Sequence, residues 1–118
     1  MLERIEDLHP SVIGYRAIGD FTTEDFTAAI GPELATVRAR TGTLRLLLHL
    51  GDKFTGFGEG SWNDLTDGIR HLHFHKGAVV TDDGGIATGI NIVKWTLHGH
   101  IRTFQNHEFD LAAHWVTT

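Results

Sequence analysis

Seven residues constrain this chain more than any others: "LRLLLHL", residues 44–50, in which five of seven positions are leucine. A strand with one wet face alternates apolar and polar side chains, whereas near-continuous apolarity needs cover on both faces. That is the environment of a central strand in a parallel sheet flanked by helices. His49 interrupts the run, and a neutral, hydrogen-bonded core imidazole accounts for it at least cost.

The flanking sequence supplies the rest of such a fold. Residues 2–8 and 12–18 read as two antiparallel strands around a turn at Pro10. Thr22 with Asp25 forms a capping-box pattern, and Phe26, Ile30, Leu34 and Val37 make one apolar helical stripe behind it. Pro32 removes a backbone donor inside that stripe, which predicts a kink or restart near Gly31, and Gly42 ends the helix. Ser61 and Asp64 form a second capping-box pattern, opening a helix marked by Trp62, Leu65, Ile69 and Leu72. Residues 77–82 read as a β-branched strand. Ile86, Ile90, Val93 and Leu97 mark a third helix stopped at Gly99, residues 101–104 a last strand, and 108–116 a last helix with Leu111 and Trp115 four apart.

Strand–helix alternation after an initial hairpin implies right-handed crossovers. The expectation is therefore an α/β fold with a five-stranded, mostly parallel sheet, its first two strands antiparallel, and about four helices. A length of 118 residues suits a single domain over 1–118, and no linker or repeat divides it.

Charge and composition remove several function classes. The net charge of −5, with no lysine- or arginine-dense stretch, disfavours nucleic acid as a partner. Absence of cysteine excludes disulfides, thiolate metal sites and a cysteine nucleophile. The acidic start "MLERIEDLHP" is no signal peptide, and no apolar run reaches the roughly 20 residues of a membrane span, so a cytoplasmic protein is expected. Nine histidines are the one compositional oddity.

The strand-end segments carry the candidate chemistry, because ligands of parallel α/β sheets bind outside the carboxyl ends of the strands. "GDKFTGFGEGSWND" (51–64) follows the leucine run directly. Gly51 and Gly56 have phosphate-loop spacing, but Phe57 and Gly58 stand where lysine and serine or threonine are needed. Asp52, Asp82 and Asp83 sit where magnesium-dependent enzymes keep their acids, although helix capping explains the Asp82–Asp83 pair equally well. His71, His73 and His75 invite a metal, yet no third-and-fourth-ligand pattern accompanies them, and neither metal nor cofactor is expected. What remains is aromatic. A local core cluster is the common fate of large apolar residues, but Phe54, Phe57 and Trp62 on a glycine-rich segment better suit a lid over an apolar cavity or a contact surface.

Several stretches together resemble a known family: "VIGYRAIGDFTTEDF", "IGPEL", "LRLLLHLGDKFTGF", "GIRHLHFHKGAVVTD" and "IRTF" are similar to the SpoIIAA-like (STAS-like) family of small bacterial proteins. The resemblance implies a five-stranded α/β fold, kin to anti-sigma-factor antagonist domains and similar in outline to lipid-binding CRAL-TRIO-type domains. In the antagonists a serine opening the helix after the central strand is phosphorylated. Ser61 holds that place, but "GEGSWND" lacks the Asp-Ser-Ser-Gly-like signature, and capping suffices for it. The expected function is non-enzymatic binding of a small hydrophobic or lipid-like ligand through Asp52, Phe54, Phe57, Ser61, Trp62, Leu65, Ile86 and Ile90. The alternative is a protein-interaction module of anti-sigma-factor-antagonist type, with a protein partner or homodimer at the same edge. A metal-dependent enzyme is the weaker third.

Overall fold

The structure is a computed structural model that describes residues 1–9, 12–40, 44–60, 62–64, 67, 74–93 and 100–118. In chain order its elements are β1 (Leu2–Arg4), β2 (Ile13–Ala17), β3 (Gly19–Phe21), α1 (Thr23–Asp25), a π-helical turn (Phe26–Ile30), and α2 (Gly31–Arg40). Then come β4 (Leu44–Leu50), β5 (Phe54–Phe57), β6 (Phe74–Thr81), α3 (Gly84–Val93), β7 (His100–Phe104), a 3-10 turn (Asn106–Glu108) and α4 (Phe109–Thr117). Residues 62–64 and 67 are helical, while the remainder of the helix expected over 61–72 lies outside the described residues, as do Pro10, Gly42, Leu97 and Gly99.

The main sheet has the order β1-β2-β4-β6-β7. β1 pairs antiparallel with β2, and every other pairing is parallel. The leucine strand β4 is central, and its alternate residues enter two cores. Leu46, Leu48 and Leu50 pack with Ile13, Tyr15, Phe21 and Ile30 on one face. Leu47 packs with Val80, Phe104, Ala112 and Val116 on the other. The first face is covered by the β3–α2 segment and α3, the second by α4, so near-continuous leucine is what this position requires.

Each parallel step, β2 to β4, β4 to β6 and β6 to β7, moves one place in the same direction. Among the described strands there is therefore no point where strand order reverses, which is where doubly wound sheets open their ligand crevice. A ligand site at the carboxyl edge must come from something added there.

That addition is a second sheet. β3 and β5 pair in parallel, Gly19 with Phe54, Asp20 with Gly56 and Phe21 with Phe57, with an irregularity after Gly19. The expected loop 51–64 thus contains a strand. Gly56, at φ 145°, takes a backbone conformation that favours glycine within it. The pairing is tied at both ends: Gly19 N–H donates to Lys53 O and Gly58 N–H to Phe21 O, each at 2.6 Å.

One local expectation holds as read and another takes a different form. Thr22 and Asp25 make the reciprocal capping box, at 3.2 and 3.0 Å. Pro32 produces a π turn in place of a break: Gly31 N–H reaches back five residues to Phe26 O. Widening the turn fits a proline whose ring crowds the preceding carbonyls and which donates no bond. In α4 the buried stripe is Ala112 and Val116, whereas Leu111 is 50% exposed. Among the described residues no helix is long and apolar enough to cross a membrane.

Candidate functional site

The small sheet builds an aromatic wall at the carboxyl edge. Phe21, fully buried, is its base, and Phe57 stacks on it with ring centroids 5.5 Å apart. Phe57 also meets Phe54 at 5.3 Å and Trp62 at 5.1 Å, both edge-on. Such contacts contribute about 0.5–1.5 kcal/mol each beyond area burial. Phe57 is consequently a fixed member of the fold and no loop tip.

The first turn of α3 faces this wall. Asp83 opens the helix: its Oδ1 accepts from the backbone N–H of Gly85 at 2.8 Å and of Ile86 at 3.1 Å. Gly89, one turn on, presents no side chain, and a Cβ there would stand 3.9 Å from Trp62 Cζ2. Phe57, Trp62, Asp83, Gly85, Ile86 and Gly89 together line an open cleft of about 240 Å³. Apart from the Asp83 carboxylate its side chains are apolar.

Three residues expected from the sequence, Phe57, Trp62 and Ile86, meet on this cleft. Phe54 lies behind Phe57 and packs on the core, and Ile90 is buried one turn beyond Ile86. Asp52 is exposed and borders a different cleft. Ser61 and Leu65 lie outside the described residues. Sequence reading missed Phe21 and Gly89 as cleft-forming residues. A three-residue strand gives Phe21 no periodicity to find, and a helical glycine signals nothing until its neighbour is known.

Two of the three strand-end acids serve the backbone. Asp83 caps α3 as described, and Asp82 Oδ1 accepts from Asn106 N–H at 2.8 Å. Among the described residues no group of three or more His, Asp or Glu could hold a metal ion. His71 and His73 lie outside those residues, and His75 is exposed on β6.

On the opposite face of the sheet, Arg16 of β2 lies across from His49 of β4. Arg16 Nε donates to His49 Nδ1 at 3.3 Å, and the ring packs on Phe109 of α4 at 4.9 Å. Burial of the ring, and secondly the Arg16 charge, hold His49 below its ordinary 6.5, against the opposing pull of the Asn106 side chain and Asp52. The imidazole is neutral and hydrogen-bonded, but half-buried at the sheet edge and not in the centre of the core. It borders a second cleft, of about 310 Å³.

A family model described as SpoIIAA-like matches residues 12–117. Among solved structures, the chain is similar to an uncharacterized protein from the DUF3478 family with a SpoIIAA-like fold from Shewanella loihica PV-4. The two share 19% identity at a TM-score of 0.73, over 98% of this chain and 92% of that one. It is also similar to the anti-sigma factor antagonist SpoIIAA in its unphosphorylated form, with 7% identity, a TM-score of 0.61, and coverage of 93% and 94%. At these identities the likeness is one of fold. No curated protein matches the chain.

Proposed function

The chain belongs to the SpoIIAA-like family, and from that premise we propose that it is a non-enzymatic interaction domain that seats an apolar side chain of a protein partner between Phe57, Trp62 and Ile86. The observation that carries this reading is the size and form of the cleft. At about 240 Å³ and open to solvent, it lies below the ~300–1,000 Å³ of pockets that enclose small ligands. One large side chain fills such a space while its own backbone stays outside. Phe57 and Trp62 are also the residue types that anchor interfaces, and both are held in position by their neighbours. SpoIIAA, whose fold this chain shares, is an anti-sigma factor antagonist; a role directed at another protein is carried over from it as part of the proposal.

A second reading, a small hydrophobic or lipid-like ligand in the same place, is favoured by the apolar lining alone. Photo-crosslinking separates the two. A crosslinking residue replacing Gly85 should capture one protein in cells, and the Trp62→Ala variant should lose it. The captured protein, once purified, should bind the wild type and not the variant. The interaction reading fails if Gly85 captures no protein while a fatty acid saturably changes the fluorescence difference between wild type and Trp62→Phe.

A further inference from the structure

The second cleft lies on the other face of the sheet and takes no part in the reading above. One wall comes from the β1–β2 pair, where Glu3 and Arg16 are register partners and Arg16 Nη1 stands 3.5 Å from Glu3 Oε1. The other wall comes from the turn after β4, which supplies Asp52 and Lys53. Both are exposed, and neither makes an ion pair with any described residue. His49 forms the floor between the walls, and the Ala17–Ile18 segment an apolar side.

Arg16 is held in place. Its Nε–H donates to His49 Nδ1, which leaves Nε2 as the protonated nitrogen of the neutral ring. That edge of the ring faces Gly51, where a Cβ would stand only 3.0 Å from Nε2. A side chain at this position would press on the His49 ring, which would have to give by a few tenths of an ångström.

The charges decide what such a cleft can take. Its lining carries two cations, Arg16 and Lys53, and two anions, Glu3 and Asp52. A simple anion would meet repulsion from the acids as well as attraction from the bases, and a simple cation the reverse. A molecule with both charges can place each end against its opposite, and charge-assisted hydrogen bonds then form at both ends. About 310 Å³ has room for a compound of amino-acid size. We propose that this cleft binds a small zwitterion, its carboxylate end on Arg16 and Lys53 and its ammonium end on Asp52 and Glu3.

Nuclear magnetic resonance of the His49 ring and the Asp52–Phe54 amides tests this at about pH 7.5, where the imidazole is neutral. The probes are glycine, β-alanine and γ-aminobutyrate, which separate the two charges by increasing lengths, with butyrate and butylammonium as singly charged controls. At least one amino acid should give saturable shifts, with a dissociation constant on the order of 1 mM. The controls should leave the signals in place. Asp52→Asn and Lys53→Gln, both at exposed positions, should each weaken binding roughly tenfold, and Gly51→Ala, which crowds the His49 ring, should weaken it too. Trp62→Phe, in the other cleft, should change nothing. No response to any amino acid by roughly 50 mM, or an equal response to butyrate, would overturn the proposal.

Discussion

Phe57 meets Trp62 edge to face, with ring centroids 5.1 Å apart and planes at 73°. The contact joins the small sheet to the helical residues that follow it, and through Phe21 it joins both to the main core. The cleft wall is therefore continuous with the part of the molecule that sets its stability.

Removing the Phe57 ring should accordingly cost both stability and site. Phe57→Ala loses three aromatic contacts and leaves a void over Phe21. For a partly buried ring this corresponds to about 2–3 kcal/mol. Urea denaturation should show the loss with an unchanged m-value, and the Trp62 share of the emission should shift to the red. A change below about 0.5 kcal/mol would mean that Phe57 is a mobile cover after all.

The leucine run made the main sheet legible, because only a strand covered on both faces tolerates that composition. The capping box at Thr22 and the disturbance at Pro32 were equally local, so residue chemistry sufficed to place them. The β3–β5 sheet was not legible. Gly19–Phe21 is too short for a pattern, and its pairing with Phe54–Phe57 joins segments more than thirty residues apart. Without that pairing, 51–64 reads as a glycine-rich loop and Phe57 as a lid. The cleft was half legible: Trp62 and Ile86 stand out as apolar helix positions, while their approach depends on Gly89, which has no side chain to mark it.

Asp83 distinguishes a capping role from a catalytic one. Its Oδ1 satisfies two backbone N–H groups at the start of α3. Asp83→Ala should cost about 1 kcal/mol, and Asp83→Asn much less, since an amide oxygen also caps. Thermal unfolding of the two variants reads this directly. Equal destabilisation by both would mean that the charge, and not the cap, is what matters there.

Tyr15 ties the first helix segments to the sheet. Its hydroxyl donates to Glu33 Oε1, the same oxygen that pairs with Arg4, and the Arg4 guanidinium lies 5.7 Å from the Tyr15 ring centre. Burial first, and Glu33 second, push the phenol from 10.0 to about 12. A folded-state value above the unfolded one means stability that is intact below pH 10.0 and falls as the pH rises towards 12. Tyr15 is the chain's one tyrosine, so phenolate absorbance reports it alone. The native protein should titrate near 12, and Tyr15→Phe should abolish the signal and cost about 1 kcal/mol at neutral pH. A midpoint at the ordinary value would show that the hydroxyl is neither buried nor bonded to Glu33.

His49 gives the opposite dependence at the acid end. Its ring is half-buried, accepts a hydrogen bond from Arg16 at Nδ1, and is held below 6.5 by burial and by the Arg16 charge. Protonation would put hydrogen on the nitrogen that Arg16 already faces and place two cations side by side. The unfolded chain therefore takes up the proton more readily than the folded one, and the linkage follows in sign. The contribution of His49 is complete above about pH 6.5, declines as the pH falls below it, and levels off beneath the folded-state value. The measured quantity is the difference between wild type and His49→Gln, whose amide can still accept from Arg16. Denaturation midpoints between about pH 5 and 8 should show a steeper loss on acidification in the wild type. Parallel curves would mean that neither burial of the ring nor the Arg16 charge disfavours its protonation, and the floor of the second cleft would lose its fixed guanidinium.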